Sequence, residues 1–343
     1  MNTKLIQAAD LPAFLDAARN SLRLVAPRRD GDLIDFRELR SPTELVSSRD
    51  YVNPRTSIKK LFFPRSEPLL RFARSGDGID IQEPETSFPP TLVFGCRPCD
   101  ASSLPIMDAL YRWDYVDALW FRRREATTVV AISCTRADAC CFCTALGGAP
   151  NASAGADLLL TPLDENRLLA EILTEKGQAA VALAPALFTD GTGDKQAACR
   201  DALALLPPRL DLDAVATWLA ANFENPRWAD WSAKCWGCGC CTFLCPTCHC
   251  FDIVDEGTYR RGQRRRNWDA CQFPTFTLHA SGHNPRPNQA ARWRQRVEHK
   301  FSYYVQKFDY RSCVGCGRCI RHCPVNMNIL AQLRTIASEA AAQ

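Results

Sequence analysis

Apolar residues recur at helical spacing near the start of the chain, at Leu11, Phe14, Leu15 and Ala18, so residues 1–30 predict an amphipathic helix. The pattern then loosens. Residues 42–90 mix Pro, Arg and Ser with brief apolar runs and predict irregular structure with short strands. Thr91 to Gly95 is a continuous apolar run, as a buried strand carries, and it ends in the loop Cys96-Arg97-Pro98-Cys99-Asp100. Asp100 or Ser102 is placed to cap a helix reaching Tyr111. Thr127 to Ser133 is β-branched and strand-like. Asp157 to Thr161 and Arg167 to Leu173 read as a second strand pair around an Asp-Glu-Asn turn. Residues 175–225, rich in Ala and Leu, predict helices, and the helical pattern returns from Gln289 to Phe308. The expected fold class is therefore α+β. A mixed α/β domain spans residues 1–230, and a helical, cysteine-rich domain follows over 231–343. The composition shifts between them at Pro226-Arg227-Trp228.

Composition narrows the picture. The chain has 343 residues, 46% of them hydrophobic and 23% charged, which is enough for packed cores in two domains. A net charge of +4 demands no nucleic-acid partner. Nineteen cysteines are an odd count and they are clumped, unlike a secreted disulfide framework. The first thirty residues carry no apolar signal-peptide core. The longest apolar run, Ala179 to Phe188, is too short to span a bilayer. A cytoplasmic, reducing location with no membrane span is expected.

Two cysteine runs carry the chemistry. The first is Cys235-Trp-Gly-Cys238-Gly-Cys240-Cys241-Thr-Phe-Leu-Cys245-Pro246. The second is Cys313-Val-Gly-Cys316-Gly-Arg-Cys319-Ile-Arg-His-Cys323-Pro324. Both fit C-x2-C-x2-C-x3-C-P, the bacterial ferredoxin spacing in which the fourth Cys of each run ligates the other cluster. Cysteines at i, i+3 and i+6 on a short loop can wrap three corners of a cubane. Glycines between them let the backbone approach the sulfides. The spacing predicts one [4Fe–4S] cluster on Cys235, Cys238, Cys241 and Cys323, and a second on Cys313, Cys316, Cys319 and Cys245. Cys240 falls at a spacer position and is expected not to ligate. A zinc site would need only four sulfurs in two pairs, and each run alone supplies four. The spacer between the runs is long and largely helical, which favours an α-helical ferredoxin-type domain over the compact β-rich kind.

With these residues placed, a resemblance is visible over most of the chain. F-G-C-R-P-C-D at 94–100, C-C-F-C-T-A-L-G-G-A-P at 140–150 and G-A-D-L-L-L-T at 155–161 carry it in the first half. C-T-F-L-C-P-T-C-H-C-F-D at 241–252, G-H-N-P-R-P at 282–287 and R-Q-R-V-E-H-K-F-S-Y at 294–303 carry it in the second. The chain resembles the β subunits of cytoplasmic sulfhydrogenases, which are NAD(P)-linked nickel–iron hydrogenases, and the related A subunit of anaerobic sulfite reductase. The resemblance implies an electron-transfer subunit of an oxidoreductase complex. It would relay electrons between a flavin subunit that handles NAD(P)H and a catalytic subunit, nickel–iron in one branch and sirohaem in the other. The chain itself would perform no bond-making chemistry.

Cys99, Cys134, Cys141 and Cys143 lie in the family-like segments of the first half and number what a third iron–sulfur cluster needs. Cys96 and Cys140 are the nearest substitutes. Buried thiols and a redox disulfide are the alternatives. Cys248, Cys250 and Cys271 are expected to pack. The Arg260 to Arg266 run would dock a partner subunit, face solvent, or serve an iron–sulfur sensor that binds DNA. No helix-turn-helix pattern supports that sensor. Lys59 and Lys60 are expected at the surface. No nucleotide-binding glycine motif is present.

Overall fold

A computed structural model describes residues 2–84 and 86–342. Its strands are β1 (Asn2–Gln7), β2 (Arg23–Asp30), β3 (Leu33–Glu38), β4 (Ser66–Ser75), β5 (Gly78–Gln82), β6 (Thr91–Cys96), β7 (Thr127–Ile132), β8 (Leu158–Pro162), β9 (Arg167–Ile172), β10 (Phe188–Asp190), β11 (Phe251–Gly257) and β12 (Arg261–Trp268). The chain divides into two compact units, and neither is continuous in sequence. The first comprises 1–59, 88–210 and 313–317; the second comprises 60–87, 211–312 and 318–343. Compactness thus divides the chain differently from the composition shift near 230. Residues 60–87 and 211–230 group with the second unit, and the loop 313–317 groups with the first.

The first unit is built on a sheet in the order β10-β1-β9-β8-β7-β6-β2-β3. Its middle strands β2, β6, β7 and β8 pair in parallel, and its flanks pair antiparallel. Parallel strands are covered on both faces and so are apolar throughout. Accordingly every residue of β6 and of β8 is buried. Phe14, Leu15, Leu92, Phe94, Val130 and Leu160 belong to one core beneath the Leu11–Arg19 helix and the Glu175–Ala182 helix. The helix expected over 1–30 is corrected: the α-helix is confined to Leu11–Arg19, preceded by a 3-10 turn at Ala8–Asp10, and it lies between β1 and β2. The helical period is confined to Leu11–Ala18. The Leu24-Val25-Ala26 run is short and buried on both faces, and pairs with β6 on one side and β3 on the other. At the carboxyl ends of β6 and β7 the chain enters the loops that carry Cys99 and Cys134.

The second unit is mixed. Helices Leu212–Ala221, Arg227–Ser232, Gln289–Glu298 and Ile329–Ala340 pack around Trp218, Trp228, Trp293, Leu333 and Ile336. Trp293 Nε1 donates to Gln332 Oε1 at 2.8 Å, so the indole is satisfied as it is buried. Beside the helices lies an antiparallel sheet ordered β11-β12-β4-β5. Strands β4 and β5 fall inside the stretch 42–90, where irregular structure with short strands is expected. Among the described residues no helix is long and apolar enough to cross a membrane.

Candidate iron–sulfur sites

In the second unit, six cysteines line one cavity: Cys235, Cys238, Cys240, Cys241, Cys319 and Cys323. Three of the four expected ligands come from the first run and the fourth from the end of the second. Gly239, at φ +74°, allows the Cys240–Phe243 turn to start immediately after the loop. A Cβ there would sit 2.7 Å from the Phe273 ring. Cys238 is exposed, whereas burial pushes the Cys241 thiol up to about 12 and raises that of Cys235. Gln289 Nε2 donates to Cys235 Sγ at 3.2 Å, and the Met327 N–H donates to Cys323 Sγ at 3.2 Å. Cys240 turns its thiol to His322 O at 3.3 Å instead.

The donor set fits an iron–sulfur cluster. Burial makes the Cys241 and Cys235 thiols resist ionisation, and a cluster would supply the positive metal that makes thiolates favourable there. Among the described residues no three His, Cys, Asp or Glu side chains converge on a point as one bound ion requires. Ligands of a single zinc lie within about 3.8 Å of each other, from Zn–S bonds of about 2.3 Å.

Cys245, the fourth cysteine of the first run, lies apart from that cavity and is 7% exposed. Its sulfur lies 3.4 Å from Lys300 Nζ and 3.2 Å from Thr247 Oγ1. The Cys248 thiol is hydrogen-bonded to it, and that bond, with Lys300 and Arg296 nearby, holds Cys245 well below the ordinary thiol range. Cys319 belongs to the second unit with Cys245, while Cys313 and Cys316 group with the first.

In the first unit, Cys99, Cys134, Cys141 and Cys143 line a single cavity together with Arg97 and Cys316. Three loops bring the four N-terminal cysteines there. Cys99 opens the short helix Pro98–Ala101 after β6. Cys134 follows β7 and donates its N–H to Pro150 O at 2.8 Å. Asp138 Oδ1 accepts from the N–H groups of Cys140 and Cys141 at 2.9 and 3.2 Å, and so shapes the turn before Cys143. Gly315 seals the wall. It accepts from the Phe142 N–H at 2.8 Å, its φ is +64°, and a Cβ would meet the Phe142 carbonyl carbon at 2.5 Å. Arg97, 1% exposed, donates Nε to Val52 O at 2.8 Å and Nη2 to Tyr51 O at 2.7 Å, which fixes a cation in the wall. Burial pushes Cys143 up to about 12 and also raises Cys134. Cys96 is fully buried within the sheet and is absent from this wall.

Cys248, Cys250 and Cys271 line a separate cavity of the second unit, along with His249, His299, Arg286, Arg296 and Lys300. Burial lowers His299 to about 3, so it is neutral. The Arg260–Arg266 run lies largely in β12. Arg264 pairs with Asp255 at 2.8 Å, Arg265 with Glu256 at 3.7 Å and Arg266 with Glu67 at 2.5 Å. Lys59 is 3% exposed, which corrects its expected surface position. Lys300 and Thr247 were not singled out by sequence. The signal available was the charged segment R-V-E-H-K, in which Arg296, Glu298 and Lys300 are each buried to within 2%.

Comparison with known proteins agrees with this chemistry. The family model "4Fe-4S dicluster domain" matches residues 234–327. A curated relative, the sulfhydrogenase 2 subunit beta of Pyrococcus furiosus, is 31% identical over 330 residues, covering 92% of this chain and 92% of that protein. No solved structure matches the chain.

Proposed function

The chain belongs to the sulfhydrogenase β-subunit family, and from that premise we propose that it is the iron–sulfur electron-relay subunit of a hydrogenase complex. In this reading it stands between a flavin subunit that handles NAD(P)H and a nickel–iron catalytic subunit. One observation carries the reading: Cys235, Cys238 and Cys241 of the first run share a cavity with Cys323 of the second. That pairing is the crossed arrangement the ferredoxin spacing requires.

In this reading Cys235, Cys238, Cys241 and Cys323 hold one [4Fe–4S] cluster, and Cys313, Cys316, Cys319 and Cys245 hold the other. Cys99, Cys134, Cys141 and Cys143 hold a third. Bound clusters would supply one-electron storage. The chain's own residues set thiolate geometry, exclude water and tune charge. Gln289 and the Met327 N–H orient sulfurs of the first site. Arg97 adds positive charge beside the N-terminal site.

The test is metal and pigment analysis of the tagged chain, drawn anaerobically from its native cells with its partners attached. Nickel, with hydrogen-dependent viologen reduction, is the expected result. Sirohaem without nickel would place the chain in a sulfite-reducing complex. Absence of broad visible cluster absorption would sink the relay reading altogether.

A further inference from the structure

The sulfurs of the second unit are not equally supplied with donors. Cys235 and Cys323 have only neutral donors: the Gln289 amide and the Gly237 backbone for Cys235, and the Met327 N–H for Cys323. Cys245 has three polar neighbours, of which Lys300 donates to it while the Thr247 hydroxyl proton goes to Ser312 O. Lys300 Nζ lies 3.4 Å away, Thr247 Oγ1 lies 3.2 Å away, and the Cys248 thiol is hydrogen-bonded to it. One of the three is a cation, and a charge-assisted bond is roughly twice as strong as a neutral one.

The cation is held in place. Lys300 is 2% exposed, and its Nζ also donates to Ser312 O at 2.6 Å and to Thr247 Oγ1 at 3.3 Å. The Thr247 hydroxyl is itself pinned to Ser312 O at 2.7 Å. Lys300 lies in a π-type turn, His299–Tyr303, that interrupts the helix. Such turns re-aim side chains and recur at functional sites.

A second buried cation provides an internal contrast. Arg296 reaches Cys248 Sγ with Nη1 at 3.5 Å and Cys241 O with Nη2 at 3.0 Å. Its Nε has no hydrogen-bond partner. Arg296 therefore stands toward both cysteine neighbourhoods, whereas Lys300 addresses Cys245. Hydrogen bonds to ligand sulfurs and nearby positive charge both favour the reduced, more negative cluster, and so raise its potential.

We propose that Lys300, with Thr247 and Cys248, sets the potential of the cluster bound by Cys245 above that of the cluster bound by Cys235, Cys238, Cys241 and Cys323. An electron delivered to this unit then comes to rest on the Cys245 side. The proposal rests on the reading that Cys245 is a cluster ligand. Lys300, Thr247 and Cys248 are positioning residues that act through the Cys245 sulfur.

The test is a dithionite titration with redox mediators, followed by electron paramagnetic resonance, on the anaerobically purified complex. Cys245→Ser identifies the signal that belongs to its cluster. In Lys300→Met that signal is expected to move down while the first-run signal stays. The reduced-to-oxidised ratio at a fixed potential should fall about tenfold, equivalent to about 59 mV for one electron. Thr247→Val and Cys248→Ala should move the same signal in the same direction by less, and they decide the matter if Lys300→Met loses iron. Arg296→Gln should lower both signals. Unchanged potentials in all three Cys245-side variants, with iron retained, would overturn the inference and leave the ligand reading standing. Two signals left intact by Cys245→Ser would overturn the ligand reading, and the inference with it.

Discussion

Cys240 and Cys241 are adjacent in sequence and both line the cavity with Cys235 and Cys323; the Cys240 thiol donates to His322 O, and the ferredoxin spacing assigns ligation to Cys241. Cys240→Ala should therefore retain iron and both ferredoxin-type signals, while Cys241→Ala should lose a cluster; iron per chain and the spectrum separate the two. Glu298 offers a pH-dependent case. It is 1% exposed, and burial pushes it up to about 7 from 4.5, against the opposing pull of Ser302 and Arg294. Tyr303, itself raised by burial and by the Glu298 charge, faces the same group. The folded state thus holds this proton more tightly than the unfolded chain does. Its stabilising effect is complete below about pH 4.5 and is lost as pH rises through 7. Between about pH 5.5 and 8.5 the wild type should lose on the order of 1–2 kcal/mol that Glu298→Gln does not, seen as a flatter dependence of melting midpoint on pH in the variant. Spacing rules made the cysteine ligand candidates legible in the sequence. They did not make Glu298 or Lys300 legible as interior groups, because charged residues are almost never fully buried.

Secondary elements repeat that lesson at larger size. The parallel strands β6, β7 and β8 were legible because burial on both faces leaves a continuous apolar run. The β4 and β5 pair was legible only as short strands within 42–90, without bounds or pairing, since β5 is exposed along its whole length. Nor did the pattern at the N-terminus distinguish a strand–helix–strand sequence from one helix, because the helical period of Leu11 to Ala18 was extended over its flanks. The loop 313–317 gives the sharpest element-scale test. Gly315 adopts φ +64° and leaves no room for a Cβ against Phe142 and Cys143. Gly315→Ala must shift backbone rather than a flexible side chain. Its cost should be on the order of 1–3 kcal/mol from backbone strain, with added steric displacement of the 142–143 segment. The expected outcome is loss of iron from the chain, measured per polypeptide, with the far-ultraviolet circular dichroism nearly unchanged. Full iron retention would show that the loop carrying Phe142 and Cys143 tolerates the displacement.

For the molecule as a whole, the open quantity is how many clusters the family scaffold holds. The dicluster match covers only residues 234–327, whereas four further cysteines converge at the carboxyl ends of β6 and β7 and on the 140–143 loop. Ligand-binding loops at the carboxyl ends of parallel strands are the usual use of an open α/β sheet. The cavity wall also includes Cys316 from the second run. Three [4Fe–4S] clusters correspond to about twelve iron atoms per chain, and two correspond to about eight. Cys134→Ser is the informative substitution, because Cys134 is far in sequence from either ferredoxin run and its loop leaves the sheet directly. Iron should fall from about twelve to about eight, and one set of paramagnetic signals should vanish while the signal altered by Cys241→Ala persists. Iron unchanged at about eight in both wild type and variant would return the N-terminal cysteines to packing and confine the relay to the two ferredoxin-type sites.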